Sequence, residues 1–228
     1  MMNIQPIATF RSPFSSKFGI PKQSGLVTDL PGKVVFLPQF RNPDALRGIE
    51  EFDYIWLIWE FSANPHQAKS PVVRPPRLGG NQSVGVFASR SPFRPNPIGL
   101  SAVRLASVEW DAPSGPVLHV LGADLMDGTP IYDIKPYVTY ADAHPEAKSG
   151  FVDKNEWKTL EVDFPQPLRK QFTPAQAEAL IQVLRLDPRP QYQNNPQKVY
   201  GMPFEGRDVH FRVEEGVLYV IGVDKLTS

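Results

Sequence analysis

Residues 54–61 read Tyr-Ile-Trp-Leu-Ile-Trp-Glu-Phe, and this run decides the fold. It is the most apolar run in the chain, too short for a soluble helix of usual length and rich in aromatics and isoleucine, so it predicts a central strand buried on both faces. On its N-terminal side, Gln5 to Phe10 predicts a first strand stopped by Arg11-Ser12-Pro13, and Lys33 to Leu37 predicts a second. Asn42-Pro43-Asp44 then offers a cap, a proline at the first helical position and an acid in the first turn, which predicts a short helix to about Arg47. On the C-terminal side the strand pattern continues at Val84 to Ala88, Ser101 to Glu109, Val117 to Gly122 and Ile131 to Ile134. In Ser101 to Glu109, Val103 and Leu105 stand two apart with Arg104 opposite, the period of a half-exposed strand. Six or seven short strands with almost no helix predict a mainly β protein whose first part, residues 1–145, is a closed or nearly closed antiparallel β-barrel.

A polar, unpatterned stretch, ADAHPEAKSGFVDKN from Ala141 to Asn155, marks the domain boundary, and residues 146–228 read as a small α+β unit. Thr173-Pro174-Ala175-Gln176 is a capping box with proline at the first helical position. Ala177, Leu180, Ile181 and Leu184 follow at helical spacing until Asp187-Pro188 stops the helix. Val209 to Val213 and Val217 to Val223 predict a hairpin across Glu214-Glu215-Gly216.

Composition narrows the class. In 228 residues, 41% are hydrophobic and 21% charged, ordinary for a soluble globular protein. The 25 prolines against 16 glycines favour short extended segments and fixed turns. There is no cysteine, which excludes disulfides, thiolate metal sites and a cysteine nucleophile. The N-terminal MMNIQPIATF lacks the features of a secretory signal, and no run approaches the roughly 20 apolar residues of a membrane span, so a cytoplasmic protein is expected. Dinucleotide, phosphate-loop, nucleophile-elbow and zinc-protease signatures are missing, and no metal site is predicted. His66, His119, His144 and His210 stand far apart, a pattern more usual for solvated or core residues than for catalysts.

The segment Arg74 to Ser101, RPPRLGGNQSVGVFASRSPFRPNPIGLS, carries the chemistry. Between Glu60 and Glu109 there is no acidic residue, yet Lys69, Arg74, Arg77, Arg90, Arg94 and Arg104 fall there, in a chain of net charge zero. An anionic ligand is expected. Within Arg90 to Gly99, three prolines stiffen the loop while arginines flank Phe93 and offer forked donors to phosphate or planar faces to a base. The plainer alternative is a rigid barrel corner with solvated arginines. Asp124 and Asp127, in the turn Asp124-Leu125-Met126-Asp127-Gly128-Thr129-Pro130, suit orienting a ribose or accepting a proton, and equally suit a structural turn. Asp187-Pro188-Arg189-Pro190, followed by Tyr192, presents either a surface carrying Arg189 and Tyr192 or a simple helix stop.

Together, PKQSGL, RGIEEFDYIWL, RPPRLGG, ASRSPFRPNPIGLS, DLMDGTPIYDIKPY, DPRPQY and KVYGMPF closely resemble the bacterial TsaA-like family of TrmO-type tRNA adenosine N6-methyltransferases, in order and over nearly the whole chain. The resemblance implies a non-Rossmann β-barrel enzyme that uses S-adenosyl-L-methionine. It further implies methylation of N6 of threonylcarbamoyladenosine at position 37, beside the anticodon of threonine tRNA, by a homodimer. Cofactor contacts are then expected from Pro21, Lys22, Gln23, Phe61, Ser62, Arg90, Leu100, Asp124, Leu125, Met126 and Asp127. Two positions depart from the family pattern: Ser62 stands where His is frequent, and Lys22 where Arg is, which keeps the charge but loses the planar fork. Asp124, Asp127 and Tyr192 are the candidates to accept or relay the proton released at the acceptor nitrogen. RNA contacts are expected from Arg74, Arg77, Arg94, Arg189 and Tyr192, because anticodon-loop bases are unpaired and stack on arginine or aromatic faces. The competing readings are a barrel that binds RNA without chemistry, and a methyltransferase of the same family acting on a small molecule.

Overall fold

The computed structural model describes residues 3–64, 70–75, 78, 82–153, 159–190 and 195–226. Six strands, β1 (Ala8–Arg11), β2 (Pro31–Phe36), β3 (Tyr54–Glu60), β6 (Ile98–Glu109), β7 (Val117–Leu121) and β8 (Pro130–Pro136), close into a barrel in the order β1-β2-β7-β6-β3-β8. Every neighbouring pair is antiparallel. A two-stranded ribbon of β4 (Val72–Val73) and β5 (Val84–Gly85) lies in the connection between β3 and β6.

The pleat sorts the barrel's side chains. Ala8, Phe10, Val34, Phe36, Ile55, Leu57, Trp59, Val103, Leu118, Val120 and Ile131 fill one interior core. The expectation that β3 is buried on both faces is therefore corrected. Ile55, Leu57 and Trp59 point inward, whereas Tyr54 is exposed and Trp56 and Ile58 are only half-buried. A closed sheet has one dry interior, so its outer face receives only partial cover, here from the Tyr137 ring, 5.6 Å from that of Trp56. Two further expectations shrink. The segment Val84 to Ala88 gives two strand residues and then a single 3-10 turn, Val86–Ala88, and the helix after Asn42 is a 3-10 turn, Pro43–Leu46, capped by the Asn42 side chain.

After the barrel, β9 (Glu161–Asp163), β10 (Tyr200–Phe204), β11 (Arg207–Glu214) and β12 (Val217–Lys225) form a second sheet in the order β10-β11-β12-β9, with β9 parallel to β12. The helix Pro174–Arg185 packs on it through Ala177, Ala179, Leu180, Val183 and Leu184. Its N-terminus carries both halves of the capping box: Thr173 accepts from the Gln176 backbone, and the Gln176 side chain accepts from the Thr173 backbone. The β11–β12 hairpin turns through Glu215 and Gly216, both at positive φ, as a two-residue turn of this hand requires. The core under this sheet also contains Phe14, Val27 and Leu30, which come from the β1–β2 connection, and Glu205 donates its backbone N–H to the Pro13 carbonyl at 2.9 Å. The N-terminal connection is thus part of the second core.

Candidate active site at one barrel rim

Alternating strand direction sends three connections out of the same rim: residues 12–30 after β1, 61–97 after β3, and 122–129 after β7. These connections carry all of the expected cofactor contacts except Leu100, which lies on β6. They are tied to one another. Lys17 Nζ donates to the Ala63 carbonyl and to Asn64 Oδ1, each at 3.0 Å. The Gly25 backbone N–H donates to the Gly122 carbonyl at 2.8 Å. Arg90 Nη1 donates to Gln23 Oε1 at 2.5 Å, joining the basic loop to the Pro21-Lys22-Gln23 segment.

Asp124 occupies the centre of this rim. Ser101 Oγ donates to Asp124 Oδ1 at 2.5 Å, and Trp59 Nε1 donates to Ser101 Oγ at 3.0 Å. Burial pushes the Asp124 carboxyl above the usual aspartate range. The Ser101 hydroxyl, the backbone N–H groups of Asp124 and Ser24, and the Arg90 charge oppose that shift only in part. Asp127 faces differently: its Oδ1 accepts from the Ser12 backbone N–H at 3.1 Å and its Oδ2 meets Arg11 Nη1 at 3.4 Å. Two carboxylates three residues apart therefore play different parts, one half-buried and bonded to the barrel's Ser101 and the other tied to Arg11 and the Ser12 backbone.

The other expected site residues divide. Pro21 and Leu125 are buried within the rim, Lys22 and Ser62 are exposed, and Phe61 stacks edge-on against Trp59 at 4.3 Å. Leu100 lies on the outer face of β6 and is 53% exposed, while its neighbour Ser101 points inside. Arg94 spends its guanidinium on its own loop, donating to the Ser89 and Ser91 carbonyls at 3.1 and 3.5 Å. Arg189 is clamped by Asp187 through two 2.8 Å hydrogen bonds, a bidentate pair that raises its already high pKa. Arg74 is exposed beside the ribbon. Arg77 and Tyr192 lie outside the described residues.

Sequence reasoning missed Ser101 and Trp59. The signal was available: running the inward alternation of Val103 back by two places puts the small polar Ser101 inside the barrel, where a hydroxyl needs partners.

The residues present fit S-adenosyl-L-methionine, a cation that bears hydroxyl and amino donors. The rim offers a half-buried carboxylate with one oxygen already oriented, the Gln23 amide held by Arg90, and the apolar side chains of Pro21 and Phe61 on two of the connections. Comparison with known proteins agrees with this fit. The family model for the tRNA-methyltransferase O N-terminal domain matches residues 9–143, and that for the TrmO C-terminal domain matches residues 157–226. The chain belongs to the TrmO family. The tRNA (adenine(37)-N6)-methyltransferase of Escherichia coli K12 is 36% identical over 229 residues, covering 96% of this chain and 97% of the relative. A protein of the same name from Eikenella corrodens is 43% identical over 173 residues, covering 75% of this chain and 97% of the relative. A crystal structure of TrmO from Pseudomonas aeruginosa superposes with a TM-score of 0.80 at 34% identity, covering 99% of this chain and 98% of the other. Among the described residues, no helix of this TrmO-family chain is long and apolar enough to cross a membrane.

Proposed function

We propose that this TrmO-family chain is an S-adenosylmethionine-dependent methyltransferase that acts on N6 of threonylcarbamoyladenosine at position 37 of threonine tRNA. The observation that carries the reading is the half-buried Asp124, set where all three rim connections meet, with Ser101 donating to its Oδ1 and burial raising its pKa. When bound, the cofactor supplies an electrophilic methyl group on a sulfonium. Pro21, Lys22, Gln23, Phe61, Ser62, Arg90 and Leu125 hold and orient it, and Asp124 balances its charge in a niche where that balance is worth more than in water. The acceptor nitrogen has one proton to lose, and Asp124 Oδ2 takes it. A carboxylate whose burial raises its pKa is a stronger base than a solvated one, closer to what proton removal near neutral pH requires. Asp127 holds its loop rather than the proton, because both of its oxygens already have partners.

The basic loop serves the RNA. Arg90 and Arg74 supply the charge, while Phe87 and Phe93, 80% and 50% exposed, offer faces on which unpaired bases stack. We assign Arg94 to shaping that loop. The chain works as a homodimer, a reading supported by the exposed apolar strip of Ile98 and Leu100 on the outer face of β6, directly beside the site. Incubation with labelled S-adenosylmethionine and threonine tRNA, with and without its threonylcarbamoyl group, followed by nucleoside analysis, tests the reading. Label at N6 of the modified adenosine alone is the expected result; label elsewhere, or none from folded protein that binds the cofactor, would refute it.

A further inference from the structure

We propose that Ser101 is a positioning residue: Trp59 and Ser101 form a one-way hydrogen-bond relay that fixes Asp124 Oδ1 and leaves Oδ2 as the oxygen turned to the substrate. This rests on the reading of Asp124 as the proton acceptor.

The direction of the relay follows from donor inventory. An indole nitrogen only donates, so the Trp59 contact at 3.0 Å occupies a lone pair of Ser101 Oγ. A serine hydroxyl has one proton, and it goes to the acceptor 2.5 Å away, Asp124 Oδ1. If Asp124 is protonated, Oδ1 still receives the Ser101 proton, and the carboxyl's own proton sits on Oδ2. The relay therefore fixes Oδ1, the backbone N–H groups of Asp124 and Ser24 add to the hold on the carboxylate, and the chemistry is proposed to fall to Oδ2.

The barrel is built to keep this arrangement. Ser101 is 1% exposed and Trp59 6%, so water does not compete for either contact. Trp59 pairs with Gly99 across β3 and β6, and its ring lies so close over that glycine that a Cβ there would fall 2.3 Å from the indole. Gly99 thus permits the ring position that aims Nε1 at Ser101. The charged group acting on Asp124 from outside its own loop is Arg90, itself bonded to Gln23, and the Ser24 backbone N–H also approaches. Within the loop, Asp127 is paired with Arg11 and accepts from the Ser12 backbone N–H. None of these replaces the Ser101 hydroxyl.

The test reads the relay in the protein alone. The chain has four tryptophans, and Trp59→Phe identifies the Trp59 indole N–H resonance in a nitrogen-correlated spectrum. That resonance should shift with pH as Asp124 titrates. The shift should vanish in Ser101→Ala and in Asp124→Asn, and should persist in Ser101→Thr, which keeps a hydroxyl. In methyl transfer, Ser101→Ala should move the acid limb of the pH–rate profile to higher pH, because the lost donor favoured the ionised carboxylate, with the KM for tRNA unchanged. A Trp59 resonance that does not respond to pH, or one that responds equally in Ser101→Ala, overturns the relay. Failure of the proton-acceptor reading looks different: Asp124→Asn would then transfer methyl at the wild-type rate while the indole titration stayed intact in the wild type.

Discussion

At the scale of the residue, Asp124 is a liability to folding. Its carboxyl is largely withdrawn from water, and desolvation outweighs the hydrogen bonds from Ser101 and from the Asp124 and Ser24 backbone and raises its pKa above the value in the unfolded chain. The linkage has a definite sign: a carboxyl with a raised folded pKa favours the fold most below its unfolded pKa near 3.8, and that contribution is lost as pH rises through the folded pKa. Asp124→Asn keeps the shape and removes the charge. Its unfolding midpoint at pH 7 should equal or exceed that of the wild type, while at pH 3 the advantage disappears; chemical denaturation at the two pH values reads both. Sequence could name Asp124 and Asp127 but not separate them, since Asp-x-x-Asp in a turn has the same appearance whichever carboxylate is buried. Arg189 and Arg94 show the converse. Both looked like free cations, and both are committed, one to Asp187 and one to two loop carbonyls.

Elements with a strong local rule were legible and those made by tertiary contact were not. The capping box and helical spacing gave the helix Pro174–Arg185, and alternation gave most of the barrel. β9 has three residues, too few for a period, and β10 contains Pro203, so neither carried a pattern. No element is predicted between Pro13 and Lys33, yet the connection of residues 12–30 is held by the second unit. The Phe18 ring lies 6.3 Å from Phe211 and 6.4 Å from Tyr200, nearly parallel to both, and Gly19 at φ +91° lies against Met202. Two residues after Gly19 comes the Pro21-Lys22-Gln23 segment. A cavity of about 210 Å³ separates this loop from the helix end at Leu186, Asp187 and Pro188. The second unit thus braces the backbone that is proposed to bind the cofactor and that the sequence reading places in the first. Phe18→Leu should weaken S-adenosylmethionine binding by on the order of tenfold through loop displacement. Val213→Ala, in the same core, should leave it unchanged at matched stability. Calorimetric titration compares the two; equal affinities for both variants would show that the loop holds its place without the second unit.

For the whole molecule, net charge is zero, yet the acid-free stretch 61–108 carries six basic residues, five of them in the connection of residues 61–97. The rim that this connection crosses also receives the half-buried Asp124 carboxylate, the loop braced by the second sheet, and the exposed apolar strip of β6. The barrel places these features together because its strands alternate in direction, so that β1, β3 and β7 all end at this rim and β6 starts from it. The fold is a scaffold for three loops, and its central claim is that those loops form one methyl-transfer site with Asp124 at its centre. Single-turnover methyl transfer by Asp124→Asn, with cofactor and threonylcarbamoylated threonine tRNA both saturating, tests that claim most directly. The rate should fall by about 100- to 10,000-fold with both ligands still bound; transfer at the wild-type rate would contradict it.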